Sequence, residues 1–316
     1  MAQSFVSNVA SNYIMTKILI SIVGPTAIGK TKLSIQLANH FNTEIISADS
    51  RQFYKEMQIG TAAPTPTELN AAPHHFIQHL SIDNYYNVGA FERDTITLLK
   101  QLHKKNDVII MVGGSGLYVN AVTKGLDKLP KVNHAIRDEL NTRFQKDGLE
   151  GLQFQLKELD PKAYRTIAID NPQRLIRALE VCLSSGLPYT SFLTSQDKKR
   201  DFETITIGLT AERELIYDRI NRRVDLMMAD GLLDEVKTLL PKKSLNALNT
   251  VGYKELFNVL EKQWTLDFAI SEIKKNTRRF AKRQLTWFRK NDKTIWFDYK
   301  TDLEVIKKTI SKKINT

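Results

Sequence analysis

Apolar positions in the first part of the chain come in short unbroken runs, separated by stretches with helical spacing. Lys17–Val23 (KILISIV), Glu44–Ser47 and Val108–Val112 (VIIMV) read as strands, the first and last buried on both faces. Lys30–Phe41 and Val88–Lys105 read as helices between them. Strands alternating with helices predict a parallel α/β sheet.

The pattern changes near Leu129-Pro130 and stays helical to about Lys199. Helices are predicted over Ala135–Gln145, Leu149–Leu159, Pro161–Ile167 and Pro172–Ser184, and the stretch closes on polar Ser195–Arg200. Phe202–Leu209 (FETITIGL) returns to strand, and Arg213–Ile314 is mostly helical with one strand at Lys293–Phe297. The expected organisation is an α/β core over residues 15–129 and 201–316, carrying an inserted all-helical domain over 130–200. Residues 1–14 are expected to be a disordered extension, with Met1 or Met15 as the start.

Composition narrows the class. Of 316 residues, 42% are hydrophobic, which is ordinary for a globular chain. One cysteine, Cys182, excludes an internal disulfide framework and any Cys-based metal cluster. No apolar run is long enough to span a bilayer, and the first residues lack the pattern of a signal peptide, so a cytoplasmic protein is expected. The net charge of +11 is uneven: Pro241–Thr316 carries 18 basic and 8 acidic residues. That imbalance points either to a polyanionic partner, nucleic acid before membrane, or to a merely solvated basic surface.

Candidate chemistry starts at Gly24-Pro25-Thr26-Ala27-Ile28-Gly29-Lys30-Thr31, which matches GxxxxGK[ST] between a predicted strand and a predicted helix. Glycines let backbone N–H groups turn around a phosphate, and the helix N-terminus adds positive potential. Lys30 can reach an outer phosphate, and the Thr31 hydroxyl suits Mg²⁺. A di- or triphosphate is implied; ATP is not. Asp49 ends the next predicted strand, where ligands of parallel sheets gather, and could bind Mg²⁺, act as a general base or cap the next helix. Gly113-Gly114-Ser115-Gly116 ends a third strand. That strand has no Walker B carboxylate, which weakens a nucleotide hydrolase and leaves a small-metabolite kinase open.

At these residues the chain resembles the tRNA dimethylallyltransferases, bacterial prenyltransferases that modify adenosine 37. The resemblance runs from Lys17 to about Arg289 in eight ordered blocks, among them GPTAIGKT, SADSRQFYKEMQIGTAAP, HHFI, VGGSGLY, NPQRLIRALEV and RINRRVDLMMADGLLDEV, then TVGYKEL and RRFAKRQLTWFRK. It implies a P-loop NTPase-like core that grips the diphosphate of dimethylallyl diphosphate. It also implies Asp49 as the base, with Lys30, Mg²⁺ at Thr31 and Arg223 stabilising the leaving group. Ser115, where threonine is commonest, keeps a hydroxyl for substrate. By the same carry-over Asp49, Ser50, Arg51 and Gln52 contact the target nucleotide. Gln173, Arg174, Leu175, Ile176 and Arg177, together with Thr250, Val251, Gly252, Tyr253, Lys254 and Glu255, contact the tRNA, and Arg137 joins from the insertion. Ile28 and Ala63 depart from the serine and lysine common at their positions, the latter putting a phosphate contact in doubt.

Read without the family, Leu175, Ala178, Leu179 and Cys182 form a core stripe with Arg174 and Arg177 on a solvated face. Arg219 and Arg223 would be exposed helical salt bridges. In the basic tail Phe280, Trp287 and Phe288 are expected to pack on the core, and with the resemblance Lys282 and Arg283 are expected to meet anticodon-stem phosphates. The expected reaction is Mg²⁺-dependent prenyl transfer to tRNA by a monomer with no membrane contact. The alternatives are a P-loop kinase of a small metabolite and a non-catalytic RNA-binding protein using its P-loop as a switch.

Overall fold

The computed structural model describes residues 16–194 and 197–315. The expected extension over 1–14, the start at Met15 and the pair Ser195-Gln196 lie outside the described residues.

The chain divides into two compact units, Lys124–Lys199 and the residues on either side of that segment. The outer unit begins with β1 (Ile18–Val23), α1 (Lys30–Phe41), β2 (Ile45–Ser47), α2 (Pro66–Ala71), β3 (His74–His75), α3 (Val88–Leu102), β4 (Val108–Val112) and α4 (Gly116–Thr123). The second unit holds α5 (His134–Asp147), α6 (Glu150–Leu159), α7 (Pro161–Thr166) and α8 (Pro172–Ser185). The outer unit resumes with β5 (Glu203–Thr210), α9 (Arg213–Ala229), α10 (Leu232–Leu239), α11 (Tyr253–Leu260), α12 (Leu266–Phe288), β6 (Ile295–Asp298) and α13 (Leu303–Ile314).

Six strands form one sheet in the order β3-β2-β4-β1-β5-β6, and every paired neighbour is parallel. The central strand β1 is buried along its whole length. This is why its sequence is apolar at every position but Ser21 rather than alternating: helices cover both faces. One face packs Leu19, Ile46, Ile109 and Met111 against Phe53, Phe91 and Val224. The other packs Ile18, Ile20, Ile45 and Ile110 against Leu33, Leu37 and Ile220. Sequence reading missed β3, which has only two residues, and α2, which starts on a Thr65–Glu68 capping box with Pro66 in its first turn. Nor did it foresee α4, which begins at Gly116 with three residues between it and the end of β4.

The helical unit has its own core of Leu140, Leu152, Leu156, Ala163, Leu175, Ile176, Ala178, Leu179 and Cys182. The Asn171 side chain caps α8 by accepting the Arg174 N–H, Pro172 occupies the first turn, and Gly186 closes the helix in the left-handed region.

Candidate active site

The P-loop joins β1 to α1 at the carboxyl edge of the sheet. Gly24 adopts φ +145°, and a Cβ there would lie 2.6 Å from the Leu209 carbonyl oxygen of β5, so only glycine fits. The loop then passes through Ala27 at φ +62° and Gly29 at φ +110° before α1 starts at Lys30. Lys30 folds back and donates from Nζ to the Pro25 carbonyl at 2.7 Å. Burial lowers its pKa from 10.5 to about 8; Asp49 pulls it back up and Arg223 pushes it further down.

Both candidate arginines of α9 reach this loop rather than forming exposed salt bridges. Arg223 Nη1 donates to Thr26 Oγ1 at 3.2 Å. Its guanidinium pKa is drawn down by burial and raised by Asp49 and then Glu68. Arg219 Nε donates to the Ala27 carbonyl at 2.7 Å and lies over the Tyr299 ring.

Two clefts meet here. One, of about 690 Å³, is lined by Lys30, Thr31, Gln52, Ala63, Glu68 and Arg219 among others. The second, of about 550 Å³, is lined by Ser50, Ser115, Tyr118, Thr250, Phe280 and Trp287 among others. Thr26, Asp49, Thr61 and Arg223 line both. The first cleft is cationic and suits a diphosphate. The second, with aromatic and aliphatic walls, suits a planar base. No helix follows Asp49 for it to cap, the next one starting at Pro66; its Oδ1 instead accepts the Arg51 N–H at 3.1 Å within a turn.

Several residues carried over as RNA contacts are otherwise engaged. Leu175 and Ile176 are buried in the core of the helical unit, so their side chains are not presented to a partner. Tyr253 is fully buried, and its O–H donates to Glu235 at 2.7 Å. Glu255 is buried as well: it accepts the Gly252 N–H at 2.8 Å and a bond from Asn276. These four hold the fold and leave Gln173, Arg174, Thr250, Val251 and Lys254 at the surface or partly exposed. Arg51 spends its guanidinium on the carbonyls of Asn246, Ala247 and Asn249. Gln52 donates to the carbonyls of Thr61 and Ala62. Ser115 Oγ accepts the Ser50 N–H at 3.1 Å and bonds the Ser50 hydroxyl, which ties the ends of β2 and β4 together.

In the helical unit, Arg137 and Arg177 share one oxygen of buried Glu180 at 3.0 and 3.1 Å, and Arg137 also donates to Gln173. In the basic tail Lys282 and Arg283 are exposed, Arg283 beside the Phe280 ring. The aromatics there divide: Phe288 is buried, but Phe280 is 39% exposed at the second cleft, contrary to the expected core packing.

Two residues of the site went unnoticed in the sequence. Glu235 accepts the N–H groups of Gln58, Ile59 and Gly60 as well as the Tyr253 O–H, fixing the loop that carries Thr61. Gln284 bonds Thr26 and Gly114. Neither has a spacing signal; each lies within a block recognised only as a whole.

A family model described as IPP transferase matches residues 52–291. The chain belongs to the IPP transferase family. It is 59% identical over 302 residues to a tRNA dimethylallyltransferase of Christiangramia forsetii, covering 96% of this chain and 100% of that one. Among solved structures it resembles a tRNA isopentenylpyrophosphate transferase of Bacillus halodurans with a TM-score of 0.70 and 39% identity, covering 95% and 97% of the two chains. It also resembles a eukaryotic dimethylallyltransferase acting on tRNA, with a TM-score of 0.77 and 27% identity over 92% of this chain and 75% of that one. The family's P-loop NTPase-like fold agrees with the parallel sheet seen here. The chain is accordingly an enzyme, a transferase, and the small-metabolite kinase reading is not favoured. No helix among the described residues is long and apolar enough to cross a membrane.

Proposed function

We propose that the chain transfers the dimethylallyl group of dimethylallyl diphosphate to N6 of adenosine 37 in the tRNA anticodon loop, releasing diphosphate. The observation that carries this reading is the meeting of a cationic cleft and an aromatic-walled cleft at Asp49, Thr26, Thr61 and Arg223. A donor diphosphate held by the P-loop and a base held beside Ser115 and Tyr118 would present their reacting atoms at that junction.

Asp49 takes the proton released as the adenine nitrogen bonds the allylic carbon. The carbon–oxygen bond breaks with its electron pair leaving on the diphosphate. Lys30, Arg223 and the N-terminus of α1 stabilise that growing charge. Most of the remaining barrier is a matter of alignment, which two facing clefts supply.

A divalent cation fits the donor set. Thr31 offers one hard oxygen, and no cluster of three His, Cys, Asp or Glu suited to a metal occurs among the described residues. Mg²⁺, which takes few protein ligands and shares phosphate oxygens and water, suits such a place. When bound by Thr31 it would neutralise diphosphate charge.

The base must leave the stacked loop to enter the second cleft, so discrimination falls to the open single-stranded nucleotides around it. Arg137, Gln173, Arg174 and Arg177 of the helical unit, which serves as the anticodon-arm-binding insertion, together with Lys254, Lys282 and Arg283, meet tRNA phosphates. A monomer working in the cytoplasm beside its RNA substrate completes this reading. The test is incubation of the protein with labelled dimethylallyl diphosphate and unmodified tRNA. Label should appear at adenosine 37; unlabelled RNA together with ATP consumption would overturn the reading.

A further inference from the structure

Gln284 lies on α12, is 5% exposed, and touches two loops that are far from it in sequence. Its Oε1 accepts the Thr26 N–H of the P-loop at 2.9 Å, and its Nε2 donates to the Gly114 carbonyl at 3.0 Å. The partners dictate the amide's orientation: an N–H needs the oxygen and a carbonyl needs the nitrogen. No side chain intervenes at Gly114, where a Cβ would come within 2.3 Å of Nε2.

Thr26 and Gly114 belong to different loops, Thr26 lining both clefts and Gly114 only the second. Thr26 sits in the loop of the cationic cleft, where its hydroxyl accepts from Arg223. Gly114 opens the turn into α4, and it lines the second cleft beside Ser115. One rigid, planar group therefore spans the gap between the phosphate-holding loop and the wall of the base-holding cleft. We propose that Gln284 is a positioning residue for the transfer step: it sets the separation of the two loops, and hence of the allylic carbon from the attacking nitrogen. The inference rests on the prenyl-transfer reading above. It assigns Gln284 an effect on rate once both substrates are bound, separate from any effect on the affinity for either.

A displacement of about 1 Å between reacting atoms can lower a rate roughly 10²-fold. Asparagine is one methylene shorter and cannot reach both partners. Leucine fills the space without polar atoms. Glutamate is the diagnostic substitution. As a carboxylate it faces the Gly114 carbonyl with no proton to donate, but as a carboxylic acid it can donate there and still accept from Thr26.

The experiment compares the unsubstituted enzyme with Gln284→Asn, Gln284→Leu and Gln284→Glu. It measures single-turnover prenyl transfer at saturating tRNA and dimethylallyl diphosphate, binding of inorganic diphosphate and of tRNA, and thermal unfolding. Expected are diphosphate and tRNA affinities within about threefold of normal, with the Asn and Leu rates lowered roughly 10²-fold. The rate of Gln284→Glu relative to the unsubstituted enzyme should rise as pH falls from about 8 to about 6. Near-normal rates in all three variants overturn the proposal. So does a rate loss matched by an equal loss of diphosphate affinity, or one accounted for by unfolded protein with no pH signature in Gln284→Glu. Absence of transfer by the unsubstituted enzyme overturns the prenyl-transfer reading and this one with it.

Discussion

The Arg219 guanidinium donates from Nε to the Ala27 carbonyl at 2.7 Å and rests over the Tyr299 ring, 5.3 Å from its centroid. Ala27 holds a left-handed backbone, φ +62°, that a non-glycine residue adopts at a cost. The arginine compensates by anchoring the carbonyl on the α9 side. Tyr299 lies beyond residue 291, where the match to the family model ends, yet it backs the arginine that shapes the P-loop.

Arg219→Ala should therefore weaken diphosphate binding by about tenfold, the size of one hydrogen bond from a charged donor. Tyr299→Leu should weaken it less, because the bond to Ala27 survives. Calorimetric titration with inorganic diphosphate measures both, and an unchanged affinity in Arg219→Ala would remove the brace.

Asp49→Ala should leave tRNA affinity nearly intact while lowering the single-turnover rate roughly 10²-fold or more. The same change removes the carboxylate that raises the pKa of Lys30 and Arg223. Rapid-quench measurement of labelled RNA checks this, and near-normal turnover would exclude Asp49 as the base.

Lys30 predicts a pH limb with a definite sign. Its pKa in the folded protein is lowered to about 8 from 10.5. The ammonium that diphosphate requires is thus present below about pH 8 and lost as pH rises through it. Diphosphate affinity should fall above that pH, approaching roughly tenfold per unit. In the ligand-free protein the shift acts oppositely on stability: the unfolded chain binds more protons between about pH 8 and 10.5, so stability rises across that window. Titrations in Lys30→Arg should lose the alkaline limb, because a guanidinium stays charged.

Glu235→Ala removes the acceptor of four hydrogen bonds, three from consecutive N–H groups and one from Tyr253. Unfolding by urea should show a loss of about 3 kcal/mol, against about 1 kcal/mol for Tyr253→Phe. Equal losses in the two variants would contradict the loop-anchor role.

Lys282→Ala with Arg283→Ala should weaken binding to many tRNAs alike and reduce the salt slope by roughly one per cation. Fluorescence anisotropy across a salt series, run with several tRNA species, reads this directly. A loss confined to one species would contradict phosphate contact.

Much of the frame is legible along the chain because its causes are local. Continuous apolar runs marked β1 and β4 as buried strands, and Asn171, Pro172 and Gly186 bracket α8 with the residues that helix ends require. The helical character of the inserted segment is visible in the same way. The core stripe Leu175, Ala178, Leu179 and Cys182 was legible too; by contrast β3 pairs through only two residues, too few for alternation to show, and Ile176, outside that stripe, also faces inward.

The phosphate loop was determined by sequence alone, since a glycine-rich turn between a strand and a helix is a contiguous device whose geometry follows from its own backbone. The tertiary structure alone decided what completes it. Gln284 meets Thr26 across 258 positions and Gly114 across 170, while Arg219 reaches Ala27 across 192. A pairing at such separation leaves no periodic trace, and an arginine turned toward a buried loop has the same helical spacing as one turned toward water. Only the folded sheet, by bringing strand ends and α12 together, tells them apart.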